Sequence, residues 1–229
     1  MASDIDFIFF DAAGTLIELS EPVGATYARF AEGLGLRRSA DEFGAAFAAA
    51  WGRMPLREPV AGPRPDDDLA WWREMVGRTV EALPGDGKGA LDEEQYFKLL
   101  FNFFGTAGAW RPYAEVPGVL DALRARGFRL GVLSNFDGRL EGILEGHGLA
   151  PRFEFAVISS RVGADKPHPE IFRHAVGRAG VAAERCLHVG DQEALDRAAA
   201  EAAGLRARRV DRPGEDLRSV LADLLGAGA

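Results

Sequence analysis

Four short apolar runs, each breaking off into a small polar cluster, constrain this chain more than any other feature. Ile5 to Phe10, interrupted only by Asp6, stops at Asp11-Ala12-Ala13-Gly14-Thr15, and Phe128 to Leu133 stops at Ser134-Asn135. Phe155 to Ile158 stops at Ser159-Ser160, and Cys186 to Val189 stops at Gly190-Asp191. Short continuous apolar runs read as strands covered on both faces. Segments of helical period accompany them at Val119 to Arg126, Ile171 to Arg178 and Ala194 to Ala203. That alternation predicts a doubly wound, Rossmann-like α/β core with a parallel sheet. Ligands of such sheets bind beyond the carboxyl ends of the strands, where all four polar clusters fall. A structural turn would accept any small or polar residue, so the convergence argues for one site.

Between Leu19 and Trp110 the strand pattern disappears. Amphipathic stretches at Gly24 to Leu34, Asp41 to Trp51, Leu69 to Leu83 and Glu93 to Phe104 predict an all-helical insertion. It is interrupted by a loop with four prolines, Met54 to Pro65, and by a breaker at Pro84 to Gly89. The expected division is a core of residues 1–18 and 110–229 and a cap of residues 19–109. Trp71, Trp72 and Met75 share one helix face and read as cap core, with a pocket lining as the alternative. Asp66-Asp67-Asp68 reads as capping and dipole charge for the helix that follows, in preference to a metal site.

Composition narrows the function classes. With 229 residues, 47% of them apolar, the chain can bury a full core. A formal charge of -8 argues against a sequence-independent grip on nucleic acid or anionic lipid. The densest basic run, Arg206, Arg208 and Arg209, reads as solvated surface. No run approaches the roughly 20 apolar residues of a membrane span, and the acidic N-terminus does not resemble a signal peptide. The single cysteine, Cys186, excludes an internal disulfide and reads as a small buried strand residue, with a reducing cytoplasm as the natural compartment. Assembly as monomer or homodimer stays open.

The clusters also form a known series. Asp11-Ala12-Ala13-Gly14-Thr15-Leu16, Ser134-Asn135, Lys166 in Asp165-Lys166-Pro167-His168-Pro169, and Gly190-Asp191 with Asp196 resemble, in order, the four motifs of the haloacid dehalogenase (HAD) superfamily. Trp71-Trp72-Arg73, Ser134-Asn135-Phe136-Asp137 and Lys166 to Phe172 resemble the branch named for a rhythmically expressed insect gene, which includes the HAD-like hydrolase domain-containing proteins. That branch is of subfamily I, with a helical cap directly after the first motif.

The resemblance implies Asp11 as nucleophile toward a small phosphorylated substrate. An anionic nucleophile can approach a phosphoryl group only if a cation screens both, and magnesium suits a site of few carboxylates. Asp11 and Asp191 would be direct ligands and Asp196 would act through a water; the resemblance adds the main-chain carbonyl of Ala13. Thr15, Ser134 and the N–H groups around Gly14 and Asn135 would bind phosphoryl oxygens, and Lys166 would supply fixed positive charge in the transition state. Lys166 is one of three lysines, with Lys88 and Lys98. His168 reads as a loop residue and His188 as a buried strand residue.

One position departs from the pattern. Phosphatases of the superfamily normally carry a second aspartate two residues after the nucleophile, where this chain has Ala13. General acid–base catalysis is worth on the order of 10²–10⁴-fold, so alkyl phosphates should suffer, whereas acyl phosphates, aryl phosphates and halides need no such proton. Haloacid dehalogenases also lack the second aspartate and work without metal, but usually replace the Gly-Asp that this chain keeps at Gly190-Asp191. Phosphonoacetaldehyde hydrolases carry alanine there and keep magnesium, but need a cap lysine, and none occurs before Lys88. A fold retained for binding a phosphate ligand without turnover is the third alternative.

Overall fold

The computed structural model describes residues 4–85, 89 and 91–226, so half of the Pro84 to Gly89 breaker, with Lys88, and the extreme ends lie outside the described residues. The chain divides into two compact units. One comprises Met1–Glu18, Arg57–Asp67 and Arg111–Ala229, the other Leu19–Leu56 and Asp68–Trp110. The Pro-rich loop placed in the insertion on sequence grounds is therefore divided, and from Arg57 onward it is part of the first unit.

The second unit is built from α1 (Val23–Gly33), α2 (Ala40–Trp51), α3 (Leu69–Glu81) and α4 (Glu93–Phe104). Its start signals are local: Ser39 Oγ accepts from the Glu42 N–H at 3.2 Å while Glu42 Oε2 accepts from the Ser39 N–H at 2.8 Å, a reciprocal capping box before α2. Tyr27, Phe43, Val76, Val80, Tyr96 and Leu100 form its core. Met75 is fully buried and Trp72 packs on that core. Trp71 stands edge-on to Trp72 and donates from Nε1 to the Pro55 carbonyl at 3.3 Å. The capping expected of the Asp66-Asp67-Asp68 run is not made: Asp68 occupies the N-cap of α3 in a left-handed conformation with no side-chain cap bond, and the Asp67 carboxylate is engaged in the first unit.

The first unit carries strands β1 (Phe7–Phe10), β2 (Ile17–Leu19, extending into the second unit by one residue), β3 (Trp110–Pro112, likewise), β4 (Arg129–Ser134), β5 (Phe155–Ile158), β6 (Cys186–Gly190) and β7 (Arg206–Arg209). Five of them form a wholly parallel sheet in the order β5-β4-β1-β6-β7, while β2 and β3 pair separately. Phe7, Ile8, Phe9 and Phe10 have no exposure at all, as a central strand covered on both faces requires. Each such side chain contributes roughly 1.5–3 kcal/mol on burial. Phe7 and Phe9 share one core with Leu133, Val157, Ile171, Phe172 and Cys186. The covering helices include α5 (Val116–Ala125), α6 (Arg139–Gly146), α7 (Ser159–Val162), α8 (Pro169–Ala179) and α9 (Ala199–Ala202).

The register places the site. Phe10 is paired with Val132 on one side and Val189 on the other, so Asp11 emerges from the sheet beside the ends of β4 and β6. The strand order reverses at β1, which opens the crevice where ligands of doubly wound sheets bind. Among the described residues no helix is long and apolar enough to cross a membrane.

Candidate active site at the strand ends

Asp11 follows β1, Ser134 closes β4, and Asp191 follows β6. After Asp11 the chain turns sharply: the N–H groups of Thr15, Leu16 and Ile17 converge on the Ala12 carbonyl, and Gly14 N–H donates to Ile17 O at 2.8 Å. None of these bonds uses the Ala13 carbonyl. Gly14 has φ +88°, and a Cβ there would lie 2.6 Å from Asp191 Oδ2, so the turn requires glycine twice over. The sequence expectation of a regular helix from Ala194 is modified, since Glu193–Ala198 winds as a π-helical turn before α9. Such turns recur at functional sites, and this one carries Asp196. A side chain on Gly190 would collide with the Asp196 carboxyl group.

Lys166 joins the carboxylates. Its Nζ donates to Asp11 Oδ1 at 2.8 Å, to Asp196 Oδ1 at 2.5 Å and to the Leu133 carbonyl at 3.2 Å, with the residue only 4% exposed. Both oxygens of Asp196 are engaged from within the protein: Oδ1 also meets His188 Nε2 at 2.9 Å, and Oδ2 accepts from the Gln192 N–H at 2.9 Å. Asp191 differs, because its Oδ1 is buried with no hydrogen-bond partner.

Electrostatics separates the three carboxyls. Burial pushes Asp11 above the ordinary carboxylate range; Lys166 offsets part of this, and Asp196 and Asp191 add to it. Burial, then the charge of Asp196, pushes Asp191 up as well. Burial acts in the same sense on Asp196, but the Lys166 charge and the His188 hydrogen bond outweigh it and hold Asp196 ionised. Burial opposes the charge of Lys166, yet Asp11 and Asp196 outweigh it and keep the ammonium protonated. His188 is held neutral by burial. Its Nε2 therefore carries the proton given to Asp196, and Nδ1 is left buried and unpartnered.

Asp11, Asp191 and Asp196 each offer an oxygen within 4.8 Å of the others. With all three ionised, three negative charges face the one positive charge of Lys166, so two stay uncompensated, and burying unpaired charge is costly. A divalent cation matches that deficit, and the orphaned Asp191 oxygen is a ready ligand. The residues present fit a hard cation such as magnesium.

Of the other residues singled out in the sequence, Thr15 and Ser134 lie buried in the first and second motifs. The Asn135 side chain does something its motif does not announce: Oδ1 accepts from the Lys166 N–H at 2.7 Å and Nδ2 donates to the Lys166 carbonyl at 2.9 Å. His168 Nδ1 accepts from the Glu170 N–H at 3.2 Å and caps α8. Sequence reasoning missed the His188 bond to Asp196. It also missed Arg212, which donates to the Thr15 carbonyl at 2.9 Å, pairs with Glu115 at 2.6 Å and lies over the Tyr113 ring at 3.7 Å. No periodicity marks such long-range pairs.

Known proteins similar to this chain share its family and its fold. A family model for haloacid dehalogenase-like hydrolases matches residues 5–204. The chain is 33% identical over 213 residues to haloacid dehalogenase-like hydrolase domain-containing protein 3 of Danio rerio, covering 93% of this chain and 87% of that one. It is 39% identical over 149 residues to a phosphoserine phosphatase of Thermus thermophilus, covering 63% of this chain and 58% of that one. The putative HAD-hydrolase YfnB of Bacillus subtilis, solved bound to magnesium, shares the fold with a TM-score of 0.71 at 18% identity over 96% of this chain and 98% of that one. Motifs, sheet order, site and relatives converge: the chain belongs to the haloacid dehalogenase-like hydrolases.

Proposed function

We propose that this protein is a magnesium-dependent phosphatase-type hydrolase that acts on a small phosphorylated molecule through an aspartyl-phosphate on Asp11. The observation that carries the reading is the retained carboxylate trio with its two uncompensated charges and the unpartnered Asp191 oxygen. Asp11, Asp191 and the Ala13 carbonyl would hold magnesium, with Asp196 acting through a water, and the ion would supply the positive charge that lets a carboxylate approach a phosphoryl group. Lys166 fixes Asp11 Oδ1, which presents the second carboxylate oxygen to phosphorus. That oxygen bonds to phosphorus as the P–O bond to the leaving group breaks with its electron pair on the leaving oxygen, and a water then adds to phosphorus and displaces the Asp11 carboxylate, releasing inorganic phosphate. Thr15, Ser134 and main-chain N–H groups of their loops bind the phosphoryl oxygens, with Lys166 beside the charge that builds there. The phosphatase relative in Thermus thermophilus supports this reaction class.

Ala13 cannot donate a proton, which favours leaving groups that depart unaided. The test is release of nitrophenol from p-nitrophenyl phosphate with and without magnesium, using Asp11→Asn as control. Turnover that requires both magnesium and Asp11 is the expected result. Binding of phosphate ligands with no turnover above the Asp11→Asn background would replace the hydrolase with a ligand-binding protein. Metal-independent release of halide from a 2-haloacid would replace it with a dehalogenase.

A further inference from the structure

We infer that the segment Arg57–Asp67, which interrupts the helical insertion, is a positioning strap that holds the Lys166 loop in place. The inference rests on the reading of Lys166 as the fixed charge at the reacting group, and it assigns the strap a role in that reaction.

The strap is bonded along its length to the segment that leads from β5 to Lys166. Val60 N–H donates to the Gly163 carbonyl at 2.9 Å and Arg64 N–H to the Ser160 carbonyl at 2.7 Å. Gly163 has φ +85°, and a Cβ there would run into the carbonyl oxygens of Gly62 and Val60. The loop surface is therefore shaped to receive this backbone. At the strap's far end the Asp67 carboxylate accepts from the Gly138 N–H at 2.9 Å and from the Ser160 hydroxyl. That spends the charge that the sequence suggested would cap α3.

The decisive contact is with Asp165, the residue bonded to Lys166. Arg57 Nε donates to Asp165 Oδ2 at 2.8 Å, Arg64 Nη2 to the same oxygen at 2.9 Å, and Arg64 Nη1 to Oδ1 at 3.3 Å. Exposed ion pairs contribute little, but these side chains are only 18%, 8% and 15% exposed for Arg57, Arg64 and Asp165. Two guanidiniums on one largely buried carboxylate, one of them bidentate, fix direction as well as distance. Lys166 is thus held from two sides: Asn135 clasps its own N–H and carbonyl, and the strap clasps its neighbour. A shift of about 1 Å in a catalytic group can cost on the order of 10²-fold in rate, so an anchor that touches no reacting atom still matters.

The test compares the wild-type protein with Arg57→Ala/Arg64→Ala and, as a milder variant that keeps the strap's main-chain bonds, Asp165→Asn. Two quantities are read. Hydrogen exchange of the Lys166 amide, which is bonded to Asn135 Oδ1, should quicken by tenfold or more in the double variant, roughly the loss of one charged hydrogen bond. The sheet amides of Phe9 and Val189 should exchange as in the wild type, which shows that the fold is intact. With p-nitrophenyl phosphate, kcat should fall on the order of 10–100-fold with KM little changed, and added guanidinium ion should restore part of it. Lys166 exchange at the wild-type rate in both variants overturns the strap's role whether or not the protein is a phosphatase. Absence of Asp11-dependent turnover in the wild type overturns the functional reading alone and leaves the exchange result to decide the anchoring.

Discussion

Asp196 accepts from Lys166, His188 and the Gln192 N–H, whereas Asp191 keeps one buried oxygen without a partner. The same side chain therefore acts in one place as an internal anchor and in the other as an open ligand, and the difference comes from neighbours rather than from residue type. Cys186 shows the same dependence in a simpler form. It lies fully buried in β6, and burial pushes its thiol up from 9.0 to about 11. The folded state then binds the proton more tightly than the unfolded chain does. The stability this contributes is complete below pH 9 and is lost as pH rises toward the folded value, by about 1.4 kcal/mol per pH unit in between. Urea unfolding of wild type and Cys186→Ala at pH 8, 9 and 10 should show the advantage of the wild type shrinking across the last step. A constant difference would mean that the thiol ionises equally in both states.

Elements were legible where one interaction dominated. The four strands with apolar cores and the four helices of the second unit follow from burial and periodicity, which are properties of contiguous residues. The fifth sheet strand, β7, was not legible: Arg206-Ala207-Arg208-Arg209 has no apolar alternation and read as a basic surface run. It is an edge strand whose arginines pair with Asp4, Asp223 and Asp211, so its pairing with β6 is backbone-driven. The strap was equally hidden, because prolines mark a loop without saying what the loop touches. The resemblance named the motif residues, Asn135 among them, but the bonds of Asn135 to Lys166, of His188 to Asp196 and of Arg212 to the Thr15 carbonyl leave no mark in the local sequence pattern. Within the second unit, Tyr96 of α4 is fully buried and donates its hydroxyl to the Tyr27 carbonyl of α1 at 2.8 Å. Tyr96→Phe keeps the ring contacts with Tyr27 and Phe43 and removes only that bond, so denaturant unfolding should show a loss of about 1 kcal/mol. Loss of several kcal/mol would show that the hydroxyl organises more of this core than one hydrogen bond.

On the scale of the whole molecule, the site is a place where stability has been given up. Two buried carboxylates and a half-buried one against a single lysine oppose folding, and the raised positions of Asp11 and Asp191 express that opposition. A ligand that binds only the folded state stabilises it by about 2.7 kcal/mol at a hundredfold excess over Kd, and for a chain of this size that is roughly 5–10 °C in Tm. Magnesium should therefore raise Tm, and Asp191→Asn should remove most of the response. The same variant should melt higher than wild type in metal-free buffer, because it deletes one of the two uncompensated charges. Acid should weaken the magnesium response before it affects ordinary surface carboxylates, since protons compete for Asp11 and Asp191 at a pH above the usual carboxylate range. Differential scanning calorimetry of both proteins, with and without magnesium and at two pH values, measures all of these effects. An Asp191→Asn protein that melts lower than wild type without metal and still responds fully to magnesium would show that the cation binds elsewhere and that the carboxylate cluster is balanced by other means.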